Sequence, residues 1–173
     1  MGVGDGEELL TGRLYLRPPV WTDAAAIIAI CGDWEVARRL GRVPHPYGYL
    51  DFHFFLEQVV LLEPTWAIVL RATNELAGVI GLTPHQDGQS AELGYYMGRA
   101  HWGQGLATEA GQAVVRLGTE DLGYPRLTSG YHADNPASGR VLTKLGFKPI
   151  GVSTRRCLAA GQDKPAIDVE LLA

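Results

Sequence analysis

Glu92-Leu93-Gly94-Tyr95-Tyr96-Met97, followed after a short loop by Trp102-Gly103-Gln104-Gly105-Leu106-Ala107-Thr108-Glu109-Ala110, is the stretch that decides the fold. Leu93, Tyr95 and Met97 alternate as strand residues do, whereas Leu106, Ala107, Ala110, Ala113, Val114 and Leu117 recur at helical spacing. Gly103 and Gly105 lie between them, where the backbone can bend sharply and nothing projects. A strand entering such a turn aims the first amides of the helix at one point. Those amides have no partner inside the helix, and the helix dipole adds partial positive charge there. The segment is therefore expected to hold an anion, most naturally a phosphate or pyrophosphate.

Two named phosphate-binding patterns, the P-loop and the dinucleotide fingerprint, compete with a simple anion site and an empty turn. A P-loop needs a Lys and a Ser or Thr after its last glycine. Gly98 and Gly103 have the spacing, but Gln104 and Gly105 follow. A dinucleotide fingerprint needs a third Gly or Ala, where this chain has Thr108, and an acidic residue ending a second strand.

Working outward, Leu14 and Leu16 predict a first strand stopped by Pro18-Pro19, and Thr22 or Asp23 a cap for a helix through Ala24, Ile27, Ile28 and Cys31. The preceding residues, Met1 to Glu8, are polar and glycine-rich and are expected to fray. A second helix is expected from Gly48 to Leu62, with Phe52, Phe55, Leu56 and Val59 on one face. Trp66 to Leu70 and Leu76 to Leu82 read as a hairpin, with bulges suggested at Gly78 and Gly81. Downstream, the helix after Gly105 extends to about Glu120, and Leu127 to His132 forms a strand. Asn135 or Asp134 caps a short helix begun by Pro136 and ended at Gly146. Ile150 to Arg156 and Ile167 to Leu172 read as a terminal antiparallel pair around the turn Ala159 to Pro165.

At 173 residues the chain is expected to form one domain, and 46% hydrophobic with 20% charged residues is ordinary for a globular protein. The net charge of −4 argues against a broad nucleic-acid surface. No apolar run reaches a membrane span and no signal-peptide core is present, so a cytoplasmic protein is expected. Cys31 and Cys157 form no CxxC pair or metal set with the scattered histidines, so no metal is expected.

Three stretches resemble the GNAT superfamily of acyl-CoA-dependent N-acyltransferases, and within it the branch of Rim-type ribosomal-protein N-terminal (alanine or serine) acetyltransferases. They are Arg13-Leu14-Tyr15-Leu16-Arg17-Pro18 with Asp23; Glu92 to Tyr95 with Trp102 to Ala110; and Asn135-Pro136-Ala137-Ser138 with Lys144-Leu145-Gly146-Phe147. The resemblance implies an α/β fold with a mixed, mostly antiparallel central sheet, flanked by helices, in which two parallel strands splay apart. Here these are the strand ending at Met97 and the one from Leu127. It implies acetyl-CoA as the acyl donor and direct transfer to a primary amine in a ternary complex, by a monomer or homodimer. The amine is most naturally a protein or peptide N-terminus. A small-molecule amine such as a polyamine, amino acid or antibiotic is the alternative, and a non-catalytic acyl-CoA sensor is a third reading.

Under this resemblance the pyrophosphate sits on the amides of Gly103, Gln104, Gly105, Leu106, Ala107 and Thr108. The pantetheine arm lies along the splayed strand, with the acyl carbon near Tyr96 and Met97. Asn135 contacts the cofactor. Ser138 protonates or holds the leaving thiolate, or simply caps its helix. Glu92 is the candidate base, acting through water, or else a structural ion pair. His132 is a weaker candidate. Arg140, Lys144 and Lys148 could meet the cofactor's 3′-phosphate or form a solvated face. Tyr47, Phe52, Phe54 and Phe55 fall where this family builds its acceptor cleft.

Overall fold

The computed structural model describes residues 7–173. Eight strands make a single sheet: β1 (Leu9–Leu10), β2 (Leu14–Arg17), β3 (Thr65–Leu70), β4 (Leu76–Pro84), β5 (Ser90–Met97), β6 (Arg126–His132), β7 (Lys148–Cys157) and β8 (Gln162–Leu172). Their order is β1-β2-β3-β4-β5-β6-β8-β7, and every neighbouring pair is antiparallel except β5 and β6. The mixed sheet with one parallel pair agrees with the expected fold class.

Alternation along the strands assigns the two faces. Leu14 and Leu16 of β2, Ile80 and Leu82 of β4 and Leu93 of β5 meet α4 (Leu106–Arg116) and α5 (Pro136–Lys144) through Leu106, Ala110, Val114 and Leu142. On the opposite face, Ala67, Val69 and Val79 pack against Ile27 and Cys31 of α1 (Ala24–Gly32) and Phe52 of α3 (Tyr49–Phe54). A short α2 (Trp34–Ala37) follows α1. Two of the predicted helices end in wider, π-type turns, Phe55–Val60 after α3 and Leu117–Asp121 after α4.

Several expectations shift. Of the residues expected to fray, Met1 to Gly6 lie outside the described residues. Glu7 is held, because its carbonyl accepts the Trp66 indole N–H at 2.8 Å. The β3–β4 irregularity falls between Ile68 and Val69, which pair with Gly78 and Leu76, so Ala77 is the extra residue and Gly81 stays in register. The terminal hairpin is longer than expected, leaving only residues 158–161 as its turn.

Asp23 precedes α1 but does not cap it with its side chain. Its carboxylate instead accepts both terminal nitrogens of Arg17, each at 2.8 Å, and the Val20 amide at 2.8 Å. Burial alone would raise this carboxyl, but the Arg17 and Val20 contacts outweigh it and hold it below its ordinary 3.8. The depressed value means that the pair's contribution is present above the unfolded-state pKa of about 4 and is lost as pH falls through the lower folded value. Asp23→Ala leaves Arg17 without its partner. Chemical denaturation is expected to read a loss of about 3–5 kcal/mol at neutral pH, shrinking on the acid side.

Candidate active site

β5 and β6 pair only at Ser90–Arg126, Ala91–Leu127 and Glu92–Thr128. Beyond that the ladder stops, and the Ser129 hydroxyl donates to the Leu93 carbonyl at 2.8 Å, closing the apex of a fork. From Gly94 to Met97, β5 is paired with β4 on one side and faces the fork on the other. The fork opens into a cavity of about 1470 Å³. The uninterrupted β4–β5 register puts Glu92, Gly94 and Tyr96 on one face of the strand and Leu93, Tyr95 and Met97 on the other.

Gly105 sits at φ +74°, immediately before α4, and Gly103 at φ +71°, with no heavy atom within 4 Å of where a Cβ would stand. The turn therefore leaves the start of α4 open to an anion. Glu109, in the first turn of α4, fixes it in place. Its carboxylate accepts the Thr11 hydroxyl at 2.6 Å, the Arg13 amide at 2.7 Å and Arg13 Nε at 2.6 Å, while Arg13 also donates to the Gln104 carbonyl at 2.9 Å. Gly103, Gly105, Leu106, Ala107 and Thr108 line the cavity. Gln104 does not: its side chain turns back to donate to the Ala100 carbonyl at 3.0 Å, which leaves its backbone as its only means of contact. Leu106 is also a backbone contributor, since its side chain is buried in the core.

Across the fork, Asn135 precedes α5 and its side-chain oxygen accepts the Ser138 amide at 3.5 Å. The Ser138 hydroxyl lies 2.8 Å from the Tyr95 hydroxyl, which also donates to the Ser138 carbonyl at 3.2 Å. Burial pushes the Tyr95 phenol up to about 12. Tyr96 points to the other face, toward α1 and α3; burial raises its phenol well above the ordinary value. The expected contact through Tyr96 is not offered by its main chain either: its carbonyl turns toward Gly78 of β4, whereas the Leu93 and Met97 carbonyls turn away from β4, so Tyr95 and Met97 are the residues whose backbone faces the fork. The Met97 carbonyl is taken by the Trp102 indole N–H at 2.9 Å, and Trp102 in turn carries the Arg39 guanidinium 4.9 Å from its ring centroid.

Glu92 lines the cavity as an ion pair: Arg155 Nη1 donates to it at 2.9 Å, and the same guanidinium reaches Asp168 at 2.9 Å. A Cβ at position 130 would collide with this guanidinium, so Gly130 of β6 is what lets Arg155 lie across the fork. The outer wall carries Tyr47, Phe54, Phe55 and Val59, with Glu63 held by Arg42 at 3.1 Å. Phe52 is not part of it, being fully buried beneath α3. Arg140 and Lys144 line the cavity and Lys148 does not.

The family model described as an acetyltransferase (GNAT) domain matches residues 13–148. The chain belongs to the GNAT acetyltransferase family. An uncharacterized N-acetyltransferase of Bacillus subtilis (strain 168), YoaA, is 35% identical over 157 residues, covering 83% of this chain and 84% of that protein. Among solved structures, a GNAT-family acetyltransferase from Bacillus anthracis superposes with a TM-score of 0.85 at 19% identity, covering 96% of this chain and 98% of that one. RimL, a ribosomal L7/L12 α-N-protein acetyltransferase solved with coenzyme A, superposes at 0.83 with 18% identity and the same coverage. At such identities these two structures establish the shared fold.

Within this GNAT acetyltransferase, the glycine turn, Asn135 and Ser138 are legible from motif spacing. Tyr95 carries no functional signal in the sequence, because its alternation with Leu93 and Met97 reads as core. Arg155 carries none either, since its partners lie 13 and 63 positions away. Replacing Gly105 by Ala places a side chain in the left-handed region. The expected cost is about 1–2 kcal/mol in denaturant unfolding, accompanied by weaker coenzyme A binding in calorimetry.

Proposed function

We propose that this protein transfers an acetyl group from acetyl-CoA to the α-amine of a protein or peptide N-terminus, within a ternary complex. The observation that carries the reading is the fork itself: an open β5 edge running toward the unpartnered start of α4. The open helix start and the room beside Gly103 fit a pyrophosphate, and the Tyr95 backbone groups and Met97 amide on the side of β5 away from β4 fit an amide-bearing arm laid down like an added strand. The residues that would hold the donor are Gly103 to Thr108, the backbone of Tyr95 and the Met97 amide, and Asn135 and Ser138. Acetyl-CoA, when bound, supplies an activated acetyl thioester.

The protein's own residues manage protons and orientation. A lysine-like amine is mostly protonated at pH 7, which costs roughly 4–5 kcal/mol, whereas an α-amine costs only about 1–1.4 kcal/mol. The α-amine thus asks far less of a base, which favours N-terminal acceptors. Glu92 is the carboxylate that draws the acceptor's ammonium into the cleft and, through water, eases its deprotonation. Arg155 and Asp168 fix its position. Ser138 Oγ–H donates toward the departing sulfur. Tyr95, kept protonated by burial, turns its hydroxyl from the Ser138 carbonyl to Ser138 Oγ as that proton leaves.

Titration calorimetry with acetyl-CoA, followed by free-thiol release with peptides beginning in serine or alanine and with polyamines, amino acids and aminoglycosides, tests the assignment. Binding with turnover on the peptides is the expected result. Turnover on small amines alone would move the reading to a small-molecule acetyltransferase, and tight binding without turnover would leave an acyl-CoA sensor. Ser138→Ala is expected to slow turnover by about 10²-fold, as loss of a proton donor does. Tyr95→Phe should act in the same direction but more weakly, and the double variant should be no worse than Ser138→Ala alone, because both act through one hydrogen bond.

A further inference from the structure

Glycine inside a strand weakens it and marks places where something else comes close to the backbone. Three glycines stand side by side on the face of the sheet that carries α1 and α3. Gly81 of β4 pairs with Gly94 of β5, and Gly94 and Gly130 each lie two residues beyond the last β5–β6 pair, Glu92–Thr128. The space a Cβ would take is filled at two of them. At Gly130 it holds the Arg155 guanidinium, and at Gly81 it is bounded by the Pro64 carbonyl at 3.0 Å and the Thr65 hydroxyl at 3.2 Å. At Gly94 no heavy atom outside its chain neighbours lies within 4 Å, and the residue is exposed although its strand is interior to the sheet. Of the three, Gly94 is the one whose missing side chain nothing in the protein replaces.

The result is a pit in the cavity floor. Along β5 its banks are Glu92 and Tyr96, which share the face of Gly94 and stand about 13 Å apart at 3.3 Å per residue. Across the ladder Glu92 is continued by Thr83 and Tyr96 by Val79, so one bank is polar and the other apolar. Thr65, whose hydroxyl lies against Gly81 and donates to the Glu63 carbonyl at 2.9 Å, closes the pit about 5 Å from Gly94, one strand spacing. These residues all line the cavity. The charges beside the pit also count. Glu63 is matched by Arg42, whereas Glu92 and Asp168 share Arg155, which leaves one negative charge for one ammonium and none for a second. The pit therefore suits an uncharged substituent on a singly charged amine.

We propose that the pit over Gly94 receives the side chain of the acceptor's first residue, short and uncharged, and that Gly94 sets its size; the inference rests on the N-terminal acetyltransferase reading. With the ammonium beside Glu92 at the fork, two carbon substituents of the α-carbon must be placed. Whatever points toward Gly81 has to end within about 5 Å, one strand spacing. A side chain ends there, and the continuing peptide cannot. The peptide therefore leaves by the mouth of the cavity, and the first side chain takes the pit, with its carbons against the Val79 and Tyr96 bank.

Peptides that differ only in their first residue test the assignment: glycine, alanine, 2-aminobutyric acid, norvaline and 2,4-diaminobutyric acid. In the wild-type protein kcat/KM is expected to rise about fourfold per added carbon from glycine to norvaline, and to fall by about tenfold or more from 2-aminobutyric to 2,4-diaminobutyric acid, which carries a second cation. Gly94→Ala occupies the first carbon's place in the pit. Its extended backbone accepts alanine, so the unfolding midpoint should be no lower than wild type. The rise should then stop at alanine, with norvaline about tenfold or more worse than in the wild type and coenzyme A affinity in calorimetry within about twofold. A flat wild-type series would overturn the assignment and leave the acetyltransferase reading standing. So would a folded Gly94→Ala protein that keeps the wild-type series, or one whose whole loss follows weaker coenzyme A binding. Acetylation of small amines alone, or coenzyme A binding with no transfer to any amine, would overturn both.

Discussion

Two parallel strands that stop pairing part-way along leave backbone groups that must find partners elsewhere or stay available to a ligand. In this protein the break comes after Glu92 and Thr128, and Ser129 finishes it by giving its hydroxyl to the Leu93 carbonyl. That one hydrogen bond closes the ladder at the apex without continuing it. β4 meanwhile stays paired with β5 as far as Met97, so the edge left open is the one toward β6. The antiparallel hold of β8 on the whole length of β6, from Arg126 to His132, keeps the departing strand ordered. An open edge in the middle of a sheet is tolerable only because both its sides are supported in this way.

The fork would be of little use without an anion site at its mouth, and the chain secures that site with charge placed outside it. Glu109 in the first turn of α4 is stabilised by the helix dipole but would repel a phosphate. Arg13 and Thr11 engage its carboxylate completely enough to turn a competing negative charge into a tether between α4 and the turn before β2. The Arg13 contact with the Gln104 carbonyl fixes the glycine turn from the same side. Trp102 performs a similar service on the other strand end, taking the Met97 carbonyl and offering its ring to Arg39.

The polar groups of the cavity are divided between the two faces of the sheet. On one, Tyr95 and Ser138 form a neutral hydroxyl pair whose proton order can switch without creating buried charge. On the other, Glu92, Arg155 and Asp168 form an ionic bridge that covers Gly130. The thiolate leaving group and cationic acceptor of the proposed reaction need different surroundings. Strand alternation supplies them, because adjacent residues on β5, Tyr95 and Tyr96, point to opposite sides.

The sequence by itself determined the local elements and the half of the site built from contiguous residues. Strand alternation into Met97, two glycines with positive φ, the Asn135 cap, Pro136 at the first helical position and the Gly146 stop are short-range signals, because each reflects the conformational limits of one or two residues. Gln104 shows the limit even there: it lies within the glycine turn, but its side chain donates to the Ala100 carbonyl and it does not line the cavity. Tertiary structure alone decided the rest. Whether Glu92 is free or paired depends on Arg155, 63 residues later, and on a glycine at 130 that gives the guanidinium room. Tyr95 meets Ser138 across 43 residues. Such contacts follow from how twisted strands and helices stack in space, which no local pattern of residues encodes.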